Sequence, residues 1–97
     1  MNTINCPVDV GPLPVNCRGL GPHSKLILER GNLNPNLIMV KHPQNGVLGY
    51  LSDHMSDFIF AYRGIDLSEI EVTPSEIRQK KDGSIFMRIN IIMPNGV

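Results

Sequence analysis

The chain has 97 residues, 41% of them hydrophobic and 19% charged, which describes one folded domain and excludes a disordered tail. Nine Lys and Arg balance nine Asp and Glu, so no net field attracts nucleic acid or an anionic membrane, and such contact would need a local patch. Three Phe, two Tyr and no Trp limit the side chains that could stack on bases.

Residues 1–24 are the irregular part. Pro7, Pro12, Pro14 and Pro22 alternate with Gly11, Gly19 and Gly21, which excludes a helix. Val8 and Val10, then Leu13 and Val15, still alternate as in a strand. A proline cannot donate to a ladder, so the expectation is an edge strand, a bulged strand or a loosely attached arm. Before Arg18 there is no Lys or Arg and no sustained apolar run, so no signal peptide is expected. With no run near the roughly 20 apolar residues of a membrane span, the expectation is a soluble, cytoplasmic protein. In that compartment Cys6 and Cys17 are expected as free thiols.

Lys25 to Arg30 reads as a strand closed by Gly31-Asn32. A loop over 32–36 follows, because Asn and Pro favour turns and Pro35 keeps Asn34 out of the helical region. Leu37 to Lys41 is the next strand. Pro43-Gln44-Asn45-Gly46 is a turn whose Asn-Gly pair suits a mirror-type hairpin, and Val47 to Leu51 returns antiparallel.

Ser52 then predicts a helix N-cap, with Asp53 at the positive end of the dipole. Met55, Phe58, Ile59 and Tyr62 make one apolar stripe, and Gly64 stops the helix after Arg63. The remainder reads as β. Ile70 and Val72 alternate with polar neighbours, and Ile77 resumes the pattern beyond Pro74. Lys81-Asp82-Gly83 predicts a hairpin turn in which Asp-Gly supplies positive φ angles. Ile85, Met87, Ile89, Ile91 and Met93 share one face of a long strand, opposite Phe86, Arg88, Asn90 and Ile92. The order predicts a mainly β, β-barrel-like domain of the OB or SH3 kind with one short α-helix, describable as α+β, over residues 1–97.

Few residues suggest reaction chemistry. His23, His42 and His54 have no metal-ligand spacing with each other or with the cysteines. Neither cysteine has a visible base, and Asp53 with Asp57, spaced i, i+4, is explained as well by helix-start electrostatics as by paired carboxylates. Gly19-Leu20-Gly21 precedes a proline rather than a helix, so it is not a phosphate loop. No enzyme, metal or cofactor is expected. Arg78, Lys80 and Lys81 form the densest basic cluster, and its ordinary reading is a solvated hairpin tip.

Asn36-Leu37-Ile38-Met39-Val40 and Val47-Leu48-Gly49-Tyr50-Leu51, preceded by a strand and an Asn-rich loop and followed by a helix, resemble the HIRAN domain over residues 25–63. That family is a small β-barrel-like module, attached to helicase-type ATPases or found alone in bacterial and phage proteins. Its strand carries Asn-Ala-Ile-x-Val, and its next strand ends in Gly, an aromatic or His, then Leu. The resemblance implies a site for the free 3′ end of single-stranded DNA, lined by aromatics, an acid and basic residues. Asn34 stands where the family has an acid, and Ser52-Asp53 where it has a base.

Two functions follow as expectations. The first is a non-catalytic nucleic-acid-associated module binding single-stranded DNA, with Asn34, Asn36 and Tyr50 giving polar and stacking contacts and Lys41 and Arg63 holding phosphates. Convergence of Lys41, Arg63, Arg78, Lys80 and Lys81 beside Tyr50 would favour it, and dispersal would count against it. The second is a protein-interaction or inhibitor protein, or a homodimer. It would act through its apolar surface or by edge pairing of the Pro-rich arm and the Ile85–Met93 strand.

Overall fold

The computed structural model describes residues 2–10, 19–61 and 66–93. The expectations placed on Leu13, Val15, Cys17, Arg18, Tyr62, Arg63, Gly64 and the 94–96 turn lie outside the described residues. Six strands, β1 (Asn2–Val10), β2 (Ile27–Arg30), β3 (Ile38–His42), β4 (Gly46–Tyr50), β5 (Glu71–Gln79) and β6 (Ile85–Met93), form one sheet in the order β2-β3-β4-β1-β6-β5. One helix, α1 (Asp53–Phe60), and a short 3-10 turn (Leu67–Glu69) separate β4 from β5. The sheet curls until its two outer strands meet at a single bridge, where Leu26 N–H donates to the Val72 carbonyl at 2.9 Å. The expected mainly β, barrel-like architecture with one short helix is what the chain adopts.

Residues 2–10, read from sequence as an edge strand or arm, lie inside the sheet. β1 pairs antiparallel with β6 from Asn2↔Met93 to Val8↔Met87, and with β4 at Asp9↔Tyr50 and Val10↔Gly49. Pro7 is tolerated because it sits opposite Arg88 in the stretch paired with β6 alone. Its missing N–H falls on the side where no described strand is paired. β6 is held by β1 over Met87–Met93 on one side and by β5 over Ile85–Ile92 on the other, so the expectation that the Ile85–Met93 strand pairs by its edge is corrected: both edges are taken along most of its length.

Alternation along these strands fills the core. Cys6 and Val8 from β1, Leu28 from β2, Ile38 and Val40 from β3, and Met87, Ile89, Ile91 and Met93 from β6 are buried together with Val72 and Ile59. Burying a side chain of this kind contributes about 1.5–3 kcal/mol, so the β6 face alone is a large share of the driving force. On β4 the ladder shifts: Val40 faces Gly49 and Lys41 faces Val47, leaving Leu48 as the extra residue of a bulge. The bulge explains how Leu48 reaches the core next to a glycine that also faces β1.

Gly49 is needed for that approach. A Cβ built there would lie 2.9 Å from the Asp9 carbonyl carbon and 2.9 Å from Val8 Cγ1, and nearer still to the Asp9 oxygen. The Gly49-Tyr50-Leu51 signature is thus partly a packing requirement of the β1–β4 junction.

The helix is shorter than the predicted 52–63. Ser52 is its N-cap, accepting from Met55 N–H at 3.1 Å, and Ala61 closes it. Its buried face also differs from the predicted stripe. Ser56 and Ile59 are buried, whereas Phe58 is 45% exposed. A small side chain at 56 lets the helix sit against the start of β3, and Ser56 Oγ accepts the Ile38 N–H at 3.0 Å.

Both hairpin turns depart from the mirror type. Only the glycines, Gly46 at φ 83° and Gly83 at φ 88°, are left-handed, while Asn45 and Asp82 are not. The geometry is an ordinary turn followed by a left-handed glycine. Side chains fix it: His42 Nδ1 accepts from Asn45 N–H at 3.1 Å, and Asp82 accepts from Ser84 N–H at 3.0 Å.

Candidate nucleic-acid interface

The sequence-predicted contact residues are spread over separate parts of the sheet. Asn34 shapes the β2–β3 loop: its Oδ1 accepts from Asn36 N–H at 3.1 Å, and its carbonyl accepts from Leu37 N–H at 3.1 Å. Asn36 is exposed on the same loop. Lys41, half-buried on β3, pairs with Glu29 at 3.4 Å, which offsets its charge. Tyr50 sits on β4 opposite Met39 and Asp9. Register places Tyr50, Met39 and Lys41 on one face of the sheet, but Tyr50 pairs with Met39 near the loop that carries the two asparagines, whereas Lys41 pairs with Val47 towards the other end of β3. Arg63 lies outside the described residues.

Tyr50 also forms one wall of a cleft of about 450 Å³, between the end of β1 and the start of α1. Pro7, Val8 and Leu51 supply apolar walls, and Asp9 and Asp53 supply two carboxylates, with no cation among the described lining residues. Such a site repels phosphate, whatever the stacking value of its tyrosine.

A different cluster has the complementary sign. On β6, Phe86 points away from the core and is half-exposed. The 81–83 turn folds β5 back so that Arg78 stands directly opposite it, with the guanidinium carbon 5.1 Å from the ring centroid. Lys80 Nζ lies 5.9 Å from the same centroid. Arg88 follows two residues along β6, on the same face. Lys81 is exposed at the turn, so four cations stand against the carboxylates of Glu76 and Asp82. Glu76 binds Arg78 Nε at 3.0 Å, and the hydrogen bonds from Ser84 hold the Asp82 carboxyl below its usual range.

Arg88 is anchored across the sheet. Its Nε donates to Asn5 Oδ1 at 2.6 Å, and Nη2 makes a longer contact of 3.5 Å with the Asn5 carbonyl. Asn5 Nδ2 in turn donates to Ser75 Oγ at 2.7 Å and to Asn90 Oδ1 at 2.9 Å. Sequence reading found Arg78, Lys80 and Lys81 but not their platform. The available signal was the alternation of Phe86, Arg88 and Asn90 on the non-core face of β6, together with a turn that sets Arg78 across from Phe86.

Elsewhere the structure gives little reactive chemistry. Cys6 is a free, buried thiol, and burial pushes its pKa up against a smaller opposing influence from Arg88. No three His, Cys, Asp or Glu side chains gather as a metal site among the described residues, and no described helix is long and apolar enough to cross a membrane. No protein-family model matches this chain, and no match was found among curated proteins or solved structures.

Proposed function

We propose that this chain is a non-catalytic nucleic-acid-associated binding module on a HIRAN-like barrel scaffold, and that its ligand is single-stranded DNA. The observation that supports the reading most is the placement of Arg78 and Lys80 over the half-exposed Phe86 ring. Single-strand binding combines an aromatic surface that accepts any base with cations that displace counterions from the backbone. The face around Phe86 offers both, and its excess of cations occurs in a chain of zero net charge. The contact surface is therefore the β5–β6 face with Arg78, Lys80, Phe86 and Arg88. With this reading the proposed centre moves away from the Asn34, Asn36, Lys41, Tyr50 and Arg63 group expected from sequence.

The protein-interaction reading has weaker support. β5 is an outer strand, but a register shift between Pro74 and Glu76 and the charges of Glu71, Glu76 and Arg78 blunt its edge. Fluorescence anisotropy with labelled single-stranded oligonucleotides at low salt tests the proposal. Binding that weakens steeply with salt is expected. Absence of binding, or binding indifferent to salt, removes it, and a stable homodimer that ignores DNA transfers support to the protein-interaction reading.

A further inference from the structure

Three cations on the sheet, Lys41, Arg78 and Arg88, are held by side chains of two different kinds. Lys41 and Arg78 each lean on a carboxylate, Glu29 and Glu76, which offsets their charge. Arg88 forms no ion pair among the described residues, and the side chain that fixes it is a neutral amide, Asn5. An amide partner restrains the guanidinium without neutralising it, and Glu76, opposite Arg88 on β5, is engaged with Arg78 instead.

The restraint is tight because Asn5 is itself fully engaged. Both hydrogens of its Nδ2 have acceptors: Asn90 Oδ1 on β6, the strand paired with β1, and Ser75 Oγ on β5, one strand further out. Those donations set the orientation of the amide, so its Oδ1 faces Arg88. A guanidinium has five N–H donors, and only two of Arg88 are spent on Asn5. The remaining three suffice for the forked contact that arginine makes with a phosphate. Phe86 and Arg88 are two residues apart on one face of β6, about 6.7 Å at the usual rise per residue.

Resting on the single-stranded DNA reading, we infer that Phe86 and Arg88 form a two-part register: one base stacks on Phe86 while Arg88 takes an adjoining phosphate. Asn5 is the positioning residue that presents Arg88. Holding the guanidinium in place before the ligand arrives reduces the ordering cost of the contact.

The salt dependence of binding to a fluorescein-labelled oligothymidine separates this from a structural role. Arg88→Gln should lower the slope of log affinity against log salt by about 0.7, one phosphate contact on a single strand. Asn5→Ala removes no charge, yet should lower the slope by a similar amount. The double variant should add little to either. Arg78→Gln serves as the control, its effect adding to that of Asn5→Ala. Phe86→Leu should keep the slope while losing the wild type's preference for thymidine over an abasic site, about 5- to 100-fold. Should Asn5→Ala fail to fold by circular dichroism, Ser75→Ala releases the same amide from an exposed position and should lower the slope in part.

DNA binding with an unchanged slope in both Arg88→Gln and Asn5→Ala would overturn this register and leave the proposed function standing. So would a slope that falls in Arg88→Gln while Asn5→Ala and Ser75→Ala keep the wild-type value. Absence of oligothymidine binding by the wild type at low salt would overturn both.

Discussion

Gly49→Ala tests the junction where β1 meets β4. The added methyl would lie 2.9 Å from the Asp9 carbonyl carbon and Val8 Cγ1, and closer to the Asp9 oxygen. A flexible side chain could swing away, but the nearest atoms belong to the Asp9 backbone, and overpacking of this kind costs about 1–3 kcal/mol at least. Relief requires β1 to separate from β4, whose ladder consists of Asp9↔Tyr50 and Val10↔Gly49, with each backbone hydrogen bond worth about 1 kcal/mol. The sum is a destabilisation of about 3–5 kcal/mol, set against about 5–15 kcal/mol for a typical domain. Gly46→Ala is the comparison: its left-handed φ of 83° costs about 1–2 kcal/mol, but a methyl there meets nothing within 4 Å. Urea denaturation followed by circular dichroism measures both. If Gly49→Ala loses no more stability than Gly46→Ala, the close approach of β1 is not what requires the glycine.

Three further outcomes are expected. Ser56→Ala strands the Ile38 N–H in the interior, a loss of about 1–3 kcal/mol in urea denaturation, and a smaller loss would mean that the group finds another acceptor. Because burial raises the Cys6 pKa above its ordinary 9.0, the folded state holds the proton longer than the unfolded chain. The stability is intact below pH 9.0 and falls as pH rises towards the folded value, so Cys6→Ala should flatten the alkaline limb of a pH–stability curve. Phe86→Leu should weaken single-stranded DNA binding about 5- to 100-fold, as the loss of one stacking platform, while the far-ultraviolet circular dichroism stays that of the wild type.

Much of the scaffold was legible because it rests on local periodicity. The alternation from Ile85 to Met93, the Ser52 cap and the glycines of both hairpins all follow from rules acting over a few residues. What sequence reading missed depends on pairing between distant segments. Pro7 argued for an edge strand, and only the late start of the β4 ladder at Asp9 shows how a proline is accommodated within the sheet. Ser56 breaks the apolar stripe, and its burial makes sense only once Ile38 is known to lie beside it. Around Phe86 the local hairpin left a signal, but the anchoring of Arg88 did not, for the same reason: Asn5, Ser75 and Arg88 become neighbours only through register.

The ladder between β1 and β6 has a consequence for how the chain comes off the ribosome. Asn5 and Asn90 are bonded although 85 residues separate them, so β1 must wait for nearly all of the intervening chain before its long-range partner exists. Topologies dominated by such distant pairings fold slowly and expose unpaired strands meanwhile. Pro7 and Asp9 are well placed during that interval. A proline and a charge within an otherwise β-prone strand discourage copies of it from pairing with one another, so the residues that make β1 an unpromising strand on paper act as gatekeepers while it waits.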